Sequence, residues 1–513
     1  MSVLRIDGLP LRLSGEDGSR QIIHIILYSC IMGQEKNKHE IVNEKANERT
    51  EKTEGWIYNK TEDGMVKIQK EEKRMKKFAE DFMLGAATAA HQVEGNNIYN
   101  DYWAQEQVPH TMFNEPSLDA VDHYNRYEED IRLMAEAGLN SYRFSIEWSR
   151  IQPEKDAWNE EEVEHYRKVL QCCHDNGIRP VVTMMHFSSP KWLISMGGWE
   201  NPEVVDLFAA FCRRLVTELG GQMEYVCTIN EANMRLQLAS LMKDMMKRMA
   251  GMKEAAPENG KEGAGDSESQ VQVGINLNKE NMMLGMMECA QAFGLENPMD
   301  MHTFVSQCTP EGDILVMKAH EAAKKAMKEA CPHLKIGLTL SLHDMVALPG
   351  GEEDAQKEWD DEFLHYLPWI EKDDFLGVQC YTRKFFDENG VAEPPAGSAR
   401  TQMGYEDYPR AIADVVRKVS ERFHGDLIVT ENGIATDDDA RRCQFIREAA
   451  DGLQKCVEDG IPLKGYLYWS LLDNFEWQKG FAMTFGLIGV DRKTQKRYPK
   501  ESLRVLGSMA AEK

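Results

Sequence analysis

From Phe78 onward, short apolar segments rich in β-branched residues alternate with longer stretches in which apolar residues recur every three or four positions. No other feature constrains the fold as strongly, because strands separated by helices share a sheet as parallel, right-handed βαβ units. Segments 82–87, 140–145, 180–185, 225–231, 335–342, 374–380, 427–430 and 465–470 read as strands. Between them, one helix pattern keeps Tyr124, Tyr127, Ile131 and Met134 on a single face before Gly138. Another keeps Val163, Tyr166, Leu170 and Cys173 together between Asn159 and Gly177. Asn201 and Pro202 read as the N-cap and first turn of a helix that buries Val204, Phe208, Phe211 and Leu215. Eight strands with intervening helices predict a closed (β/α)8 TIM barrel, whose strand ends share one mouth.

Such a barrel with insertions can take up more than about 400 residues as one unit, so a chain of 513 needs no second globular domain. Residues 1–77 read as an N-terminal extension and 78–513 as the barrel, with 232–315 an extended insertion after the fourth strand. Positions 35–77 are dominated by Lys, Glu, Asn and Thr, which predicts a flexible or loosely helical stretch. The apolar run 22–32 is too short to span a bilayer and has no small-residue cleavage site; a docked helix or strand is expected, or an upstream start with Met75 as the alternative. The insertion carries a Gly-, Glu- and Ser-rich run over 257–270. It is flanked by Met242, Met245, Met246, Met249 and Met252, and by Met282, Met283, Met286 and Met287. These suit either apolar faces packed on each other or an adaptable wall beside a substrate.

The balance of 60 basic against 85 acidic residues, a net charge of -25, disfavours nucleic acid and anionic membrane surfaces as partners and leaves a neutral or cationic small molecule. Eleven cysteines without a CxxC pair point to reduced thiols and a cytoplasmic protein. No HExxH or Cys/His cluster suggests a metal, and no cofactor is expected. A homo-oligomer is left open.

Two of the strands end in carboxylates. One reads Leu427-Ile428-Val429-Thr430-Glu431 before Asn432-Gly433, the other Tyr225-Val226-Cys227-Thr228-Ile229-Asn230-Glu231. A single Glu after an apolar run also suits a helix N-terminus. Two of them at one barrel mouth, each beside an Asn, are what glycosidic bond cleavage requires.

Several motifs resemble those of glycoside hydrolase family 1, the β-glucosidase family, over residues 78–508. They are FMLGAATAAHQVEG from Phe82, YRFSIEWSRIQP from Tyr142, TINE from Thr228, TENG from Thr430 and GYLYWSLLDNFEW from Gly465. The resemblance implies a retaining β-glycosidase acting on a β-glycoside or oligosaccharide, with glucosyl, galactosyl or fucosyl residues as candidates. Glu431 would be its nucleophile and Glu231 its acid. Arg143 and Tyr381 would attend the nucleophile. Gln92, His186, Asn230, Glu476 and Trp477 would bind sugar hydroxyls, and Trp469 would be the stacking platform. A carboxylate at position 476 would repel a phosphorylated sugar. Transglycosylation through the same intermediate, or a carbohydrate-binding protein without turnover, are the alternatives.

The sequence departs from the family pattern at three places. Ala232 stands where Pro usually follows the acid, which predicts a looser loop. Phe187 replaces a common Trp. Gln379 stands where an Asn contact is expected.

Overall fold

The computed structural model describes residues 4–6, 9–11, 56–60 and 66–70 by their backbone, and residues 77–241, 272–276, 281–306 and 308–511 in full. Two compact units divide at Met75 and Lys76. In the first, Leu4–Ile6 pairs with Leu9–Leu11, and Trp56–Lys60 with Val66–Lys70, both antiparallel. The second pair replaces the loosely helical stretch expected there. WIYNK is rich in aromatic and β-branched residues, VKIQK alternates apolar with polar ones, and the two flank an Asp-Gly, a pattern that favours a strand pair. The apolar run 22–32 lies outside the described residues.

In the second unit the strands are β1 (Met83–Ala87), β2 (Ser141–Ser145), β3 (Arg179–Met185), β4 (Tyr225–Ile229), β5 (Lys335–Gly337), β6 (Thr339–Ser341), β7 (Phe375–Gln379), β8 (Asp426–Glu431) and β9 (Leu463–Trp469). They form one parallel sheet in the order β6-β7-β8-β9-β1-β2-β3-β4-β5. The fifth segment read from sequence as one strand is thus two, interrupted at Leu338. β5 pairs with β4 and β6 with β7, so this broken strand joins the two edges and the barrel closes through it. The Leu338 carbonyl still takes part, accepting the Gly377 N–H at 2.9 Å.

Inside the barrel, Met83, Val181, Tyr225, Cys227, Phe375, Ile428 and Leu467 form a buried cluster drawn from six strands. The interior is therefore a packed core, and chemistry is confined to the ends of the cylinder.

The outer helices follow the sequence patterns. α1 (His123–Glu136) and α2 (Glu160–Asp175) begin where expected, and the Asn159 side chain caps α2 by accepting the Glu161 and Glu162 N–H groups. α3 (Val204–Leu219) buries Val204, Phe208, Phe211 and Leu215 but starts later than Asn201-Pro202 suggested. Asn201 instead closes a turn, its Oδ1 accepting the Glu203 N–H and its carbonyl the Val204 N–H, both at 3.0 Å. Beyond β4, α4 (Met282–Ala292) exposes Met282, Met283 and Met287, while Met242 through Met252 lie outside the described residues. α5 (Pro310–Ala330) is capped by Thr309, with Pro310 in its first turn, and returns the chain to β5.

Candidate active site

All ten residues singled out in the sequence stand at the end of the barrel where the strands finish. Arg143 lies within β2, and His186 directly follows β3. Asn230 and Glu231 directly follow β4, and Tyr381 follows β7. Glu431 ends β8 and Trp469 ends β9, with Glu476 and Trp477 in the loop beyond; Gln92 is in the turn after β1. Gly433 lets β8 and β9 approach at this point, because a Cβ there would lie 1.8 Å from the Trp469 carbonyl oxygen.

Glu431 is held on both oxygens. Arg143 Nη1 donates to Oε1 at 2.5 Å, and the Tyr381 hydroxyl donates to Oε2 at 2.6 Å. Arg143 is fully buried, and its Nη2 donates to Asn230 Oδ1 at 2.6 Å. The same Oδ1 receives Gln379 Nε2 at 3.0 Å, and Asn230 Nδ2 donates to His186 Nε2 at 3.2 Å. An acceptor at Nε2 puts the proton of a neutral ring on Nδ1. Burial, followed by the Arg143 charge, pushes the His186 imidazole well below its ordinary range and keeps it neutral. The ring is layered with Trp469, centroids 5.6 Å apart at 25°, and with Trp477 at 6.1 Å and 26°.

Glu231 has different surroundings. Its backbone adopts the left-handed conformation, φ 44°, which a non-glycine residue keeps only when its surroundings enforce it. The enforcement comes from Thr339, whose Oγ1 accepts the Glu231 N–H at 2.8 Å and whose carbonyl accepts the Ala232 N–H at 3.0 Å. A proline at 232 would lack that second donor. The loop expected to be loose is therefore tied twice to β6.

Burial and then the Glu431 charge push Glu231 well above the carboxylate range. Glu431 is itself raised by burial, but the Arg143 charge and hydrogen bonds from Tyr381, Arg143 and Gln379 pull it back. The two carboxyls thus share one pocket with the proton favoured on Glu231. Glu476 completes the acidic set. Burial and the Glu431 charge push it up to about 8, against hydrogen bonds from the Gly274 backbone and Gln92. Three buried polar atoms among these side chains, Gln92 Oε1, Arg143 Nε and His186 Nδ1, have no partner among the described residues.

The model for glycosyl hydrolase family 1 matches residues 74–245 and 372–513, more than half of the chain. The chain belongs to glycosyl hydrolase family 1.

Among curated family 1 proteins it is 28% identical to β-glucosidase A of Thermotoga maritima over 488 residues, covering 83% of this chain and 96% of that one. Among solved structures, the β-glycosidase BGL167 is 40% identical, with a TM-score of 0.74, covering 85% of this chain and 98% of the other. The Thermotoga maritima β-glucosidase in complex with a methoxycarbonyl-substituted glucoimidazole matches at 26% identity and a TM-score of 0.67, over 85% and 100% of the two chains. Among the described residues no helix is long and apolar enough to cross a membrane, and no cluster of His, Cys, Asp or Glu could hold a metal ion.

Where this family 1 chain departs from the usual pattern, other contacts are made. Gln379 reaches Asn230 as described, and its Oε1 accepts the Thr339 hydroxyl at 2.8 Å. The Phe187 ring packs between Phe304 and Trp477.

Several residues at the mouth escaped the sequence reading. Thr339 and Ser341 could have been found, since they are polar at alternate positions at the end of an apolar strand. Tyr405 is buried with an unpartnered hydroxyl near Glu476. No strand or helix pattern marks it. Gln272 and Gly274 follow the Gly- and Glu-rich run and carry no sequence signal.

Proposed function

We propose that this enzyme hydrolyses terminal, non-reducing β-D-glucosyl residues of small β-glycosides or oligosaccharides with retention of anomeric configuration. Galactosyl or fucosyl residues are also candidate substrates. The observation that carries the reading is the unequal setting of the two carboxyls. Glu431 has a cation and a phenol on its oxygens, whereas Glu231 has no cation bonded to it among the described residues and is raised further.

In the first step Glu431 attacks the anomeric carbon, the glycosidic C–O bond breaks, and the Glu231 proton passes to the departing oxygen. Ester formation removes the Glu431 charge, and with it one cause of the raised Glu231 affinity for protons. Glu231 then takes a proton from water while that water attacks the same carbon and the ester C–O bond breaks. Glu431 is released as a carboxylate.

Asn230, oriented by Arg143, Gln379 and His186, would hold the 2-hydroxyl, a contact that tightens in the transition state. Gln92, His186, Glu476 and Trp477 would take the remaining hydroxyls, and Trp469 the C–H face. With Glu476 raised to about 8, rejection of a phosphorylated sugar rests less on its charge at neutral pH than on its surroundings, where no cation is a leading influence. The catalytic unit would be residues 78–513 with 232–315 as its insertion, and residues 1–77 would lie outside the chemistry. A reducing, cytoplasmic setting suits the ten free thiols among the described residues.

The test is to follow an aryl β-glucoside by proton NMR and to trap the intermediate with a 2-deoxy-2-fluoro glucoside. Release of the β-anomer first, with the label on Glu431, is expected. Release of the α-anomer first, or a label elsewhere, would overturn the reading.

A further inference from the structure

Residues 272–276 sit within the long connection after β4, between the two segments that the family model matches, yet all five are buried. Their hydrogen bonds run to the site. Gln272 Oε1 accepts the backbone N–H of Tyr381 at 2.5 Å, while its Nε2 donates to Ser341 Oγ at 3.1 Å and to the Leu342 carbonyl at 3.2 Å. Tyr381 is the residue whose hydroxyl holds Glu431, and Ser341 ends β6, the strand whose Thr339 holds the Glu231 and Ala232 N–H groups, with the Ser341 hydroxyl drawing the Glu231 carboxyl down against its burial. Farther along, the Gly274 N–H bonds to Glu476, and its carbonyl accepts the Gln478 N–H at 2.9 Å. Asn276 anchors the end, its N–H donating to Gln478 Oε1 at 2.7 Å and its Nδ2 to the Met112 carbonyl at 2.8 Å.

We propose that Gln272 is a positioning residue that links the ends of β6 and β7 and so aligns the two catalytic carboxyls with each other from within the inserted connection. One carboxamide reaches the partner of each carboxyl. By donating to Ser341 Oγ it occupies an acceptor lone pair and leaves the hydroxyl proton of Ser341 free to point at Glu231. By accepting the Tyr381 N–H it satisfies a buried donor and fixes the base of the tyrosine whose tip holds Glu431. This inference rests on the assignment of Glu431 and Glu231 given above.

The test compares Gln272→Met, which keeps volume and loses all three side-chain hydrogen bonds, with Ser341→Ala and the double variant, in the full chain. The measurement is the pH profile of kcat/KM, whose alkaline limb reports the acid in the free enzyme. With its lone pair freed, Ser341 can accept a hydrogen bond from the protonated Glu231 carboxyl and favour the acid form, so Gln272→Met should move the limb up by about half a pH unit. It should also lower kcat about tenfold through misalignment, with little change in KM. Ser341→Ala should move the limb the same way, and the double variant should move it no further.

An unmoved limb in Gln272→Met, or strictly additive effects in the double variant, would overturn the proposal, whatever happens to thermal stability. Ser341→Ala approaches the link from its other end, so poor folding of one variant does not remove the test. Glu231→Gln separates this inference from the one beneath it: if the alkaline limb survives that change, the assignment of the acid has failed instead.

Discussion

The Tyr381 hydroxyl donates to Oε2 of Glu431 at 2.6 Å, on the opposite oxygen from the one that Arg143 holds. Two donors on two oxygens orient the carboxylate and counter the upward pull of its burial. Tyr381→Phe removes one donor without opening a cavity. A hydrogen bond to a charged group contributes about 1.5–3 kcal/mol, so kcat/KM should fall roughly tenfold to a hundredfold. Because the lost bond was lowering the Glu431 pKa, the acidic limb of the kcat/KM profile should move to higher pH. Steady-state assays across the acid range check both effects.

Removing the nucleophile and removing the acid should look different. Glu431→Gly should abolish hydrolysis and leave room for a small anion. Added azide should restore cleavage of an activated aryl glucoside and give the α-glucosyl azide, visible by NMR. Glu231→Ala should slow substrates with poor leaving groups by about 10²- to 10⁴-fold, the usual contribution of a positioned acid, and dinitrophenyl glucosides far less. Equal slowing of both classes would remove Glu231 from that role.

The positions of these two carboxyls at the barrel mouth were legible because a barrel strand leaves two marks in sequence, an apolar run and the polar residue that ends it. TINE and TENG show both marks. The break at Leu338 was not legible, since LKIGLTLSL reads as one apolar segment and only pairing with different neighbours divides it. The start of α3 was misread because Asn201 makes a cap-like bond one turn early. At Ala232 the sequence showed a missing proline but not the hydrogen bond that the extra N–H would make with Thr339. Tyr405 and Gln272 stayed hidden for a different reason: their surroundings are assembled from loops, and no periodicity records which loops meet.

The buried Glu476 makes stability depend on pH. Its carboxyl, ordinarily at 4.5, is raised to about 8 by burial and the Glu431 charge. A group raised on folding binds its proton more tightly in the native state. Its contribution is therefore fully present below 4.5 and is lost as pH rises through about 8. Wild-type Tm should fall between those limits. Glu476→Gln cannot ionise, so it should flatten the decline and exceed the wild type above pH 8, while losing kcat/KM through the missing sugar contact. Calorimetric melts at intervals across that range test the sign.

At Gly274 the inserted connection packs closely against Glu476. A Cβ at this position would lie 2.6 Å from the Glu476 carbonyl oxygen and 3.1 Å from both its Cγ and Oε1. The first contact is with backbone and cannot be relieved by rotating a side chain, so either the segment 272–276 or the Glu476 loop must shift. Because the Gly274 N–H also helps hold the Glu476 carboxyl, a shift of the segment removes that donor as well. Gly274→Ala should therefore raise KM for aryl glucosides about tenfold, as expected when a binding group is misplaced. The barrel core should be left intact, since none of its clustered residues touches this segment's glycine. The check is a KM and kcat determination beside a thermal melt. Unchanged KM with a lowered Tm would mean that the segment supports the fold without shaping the pocket.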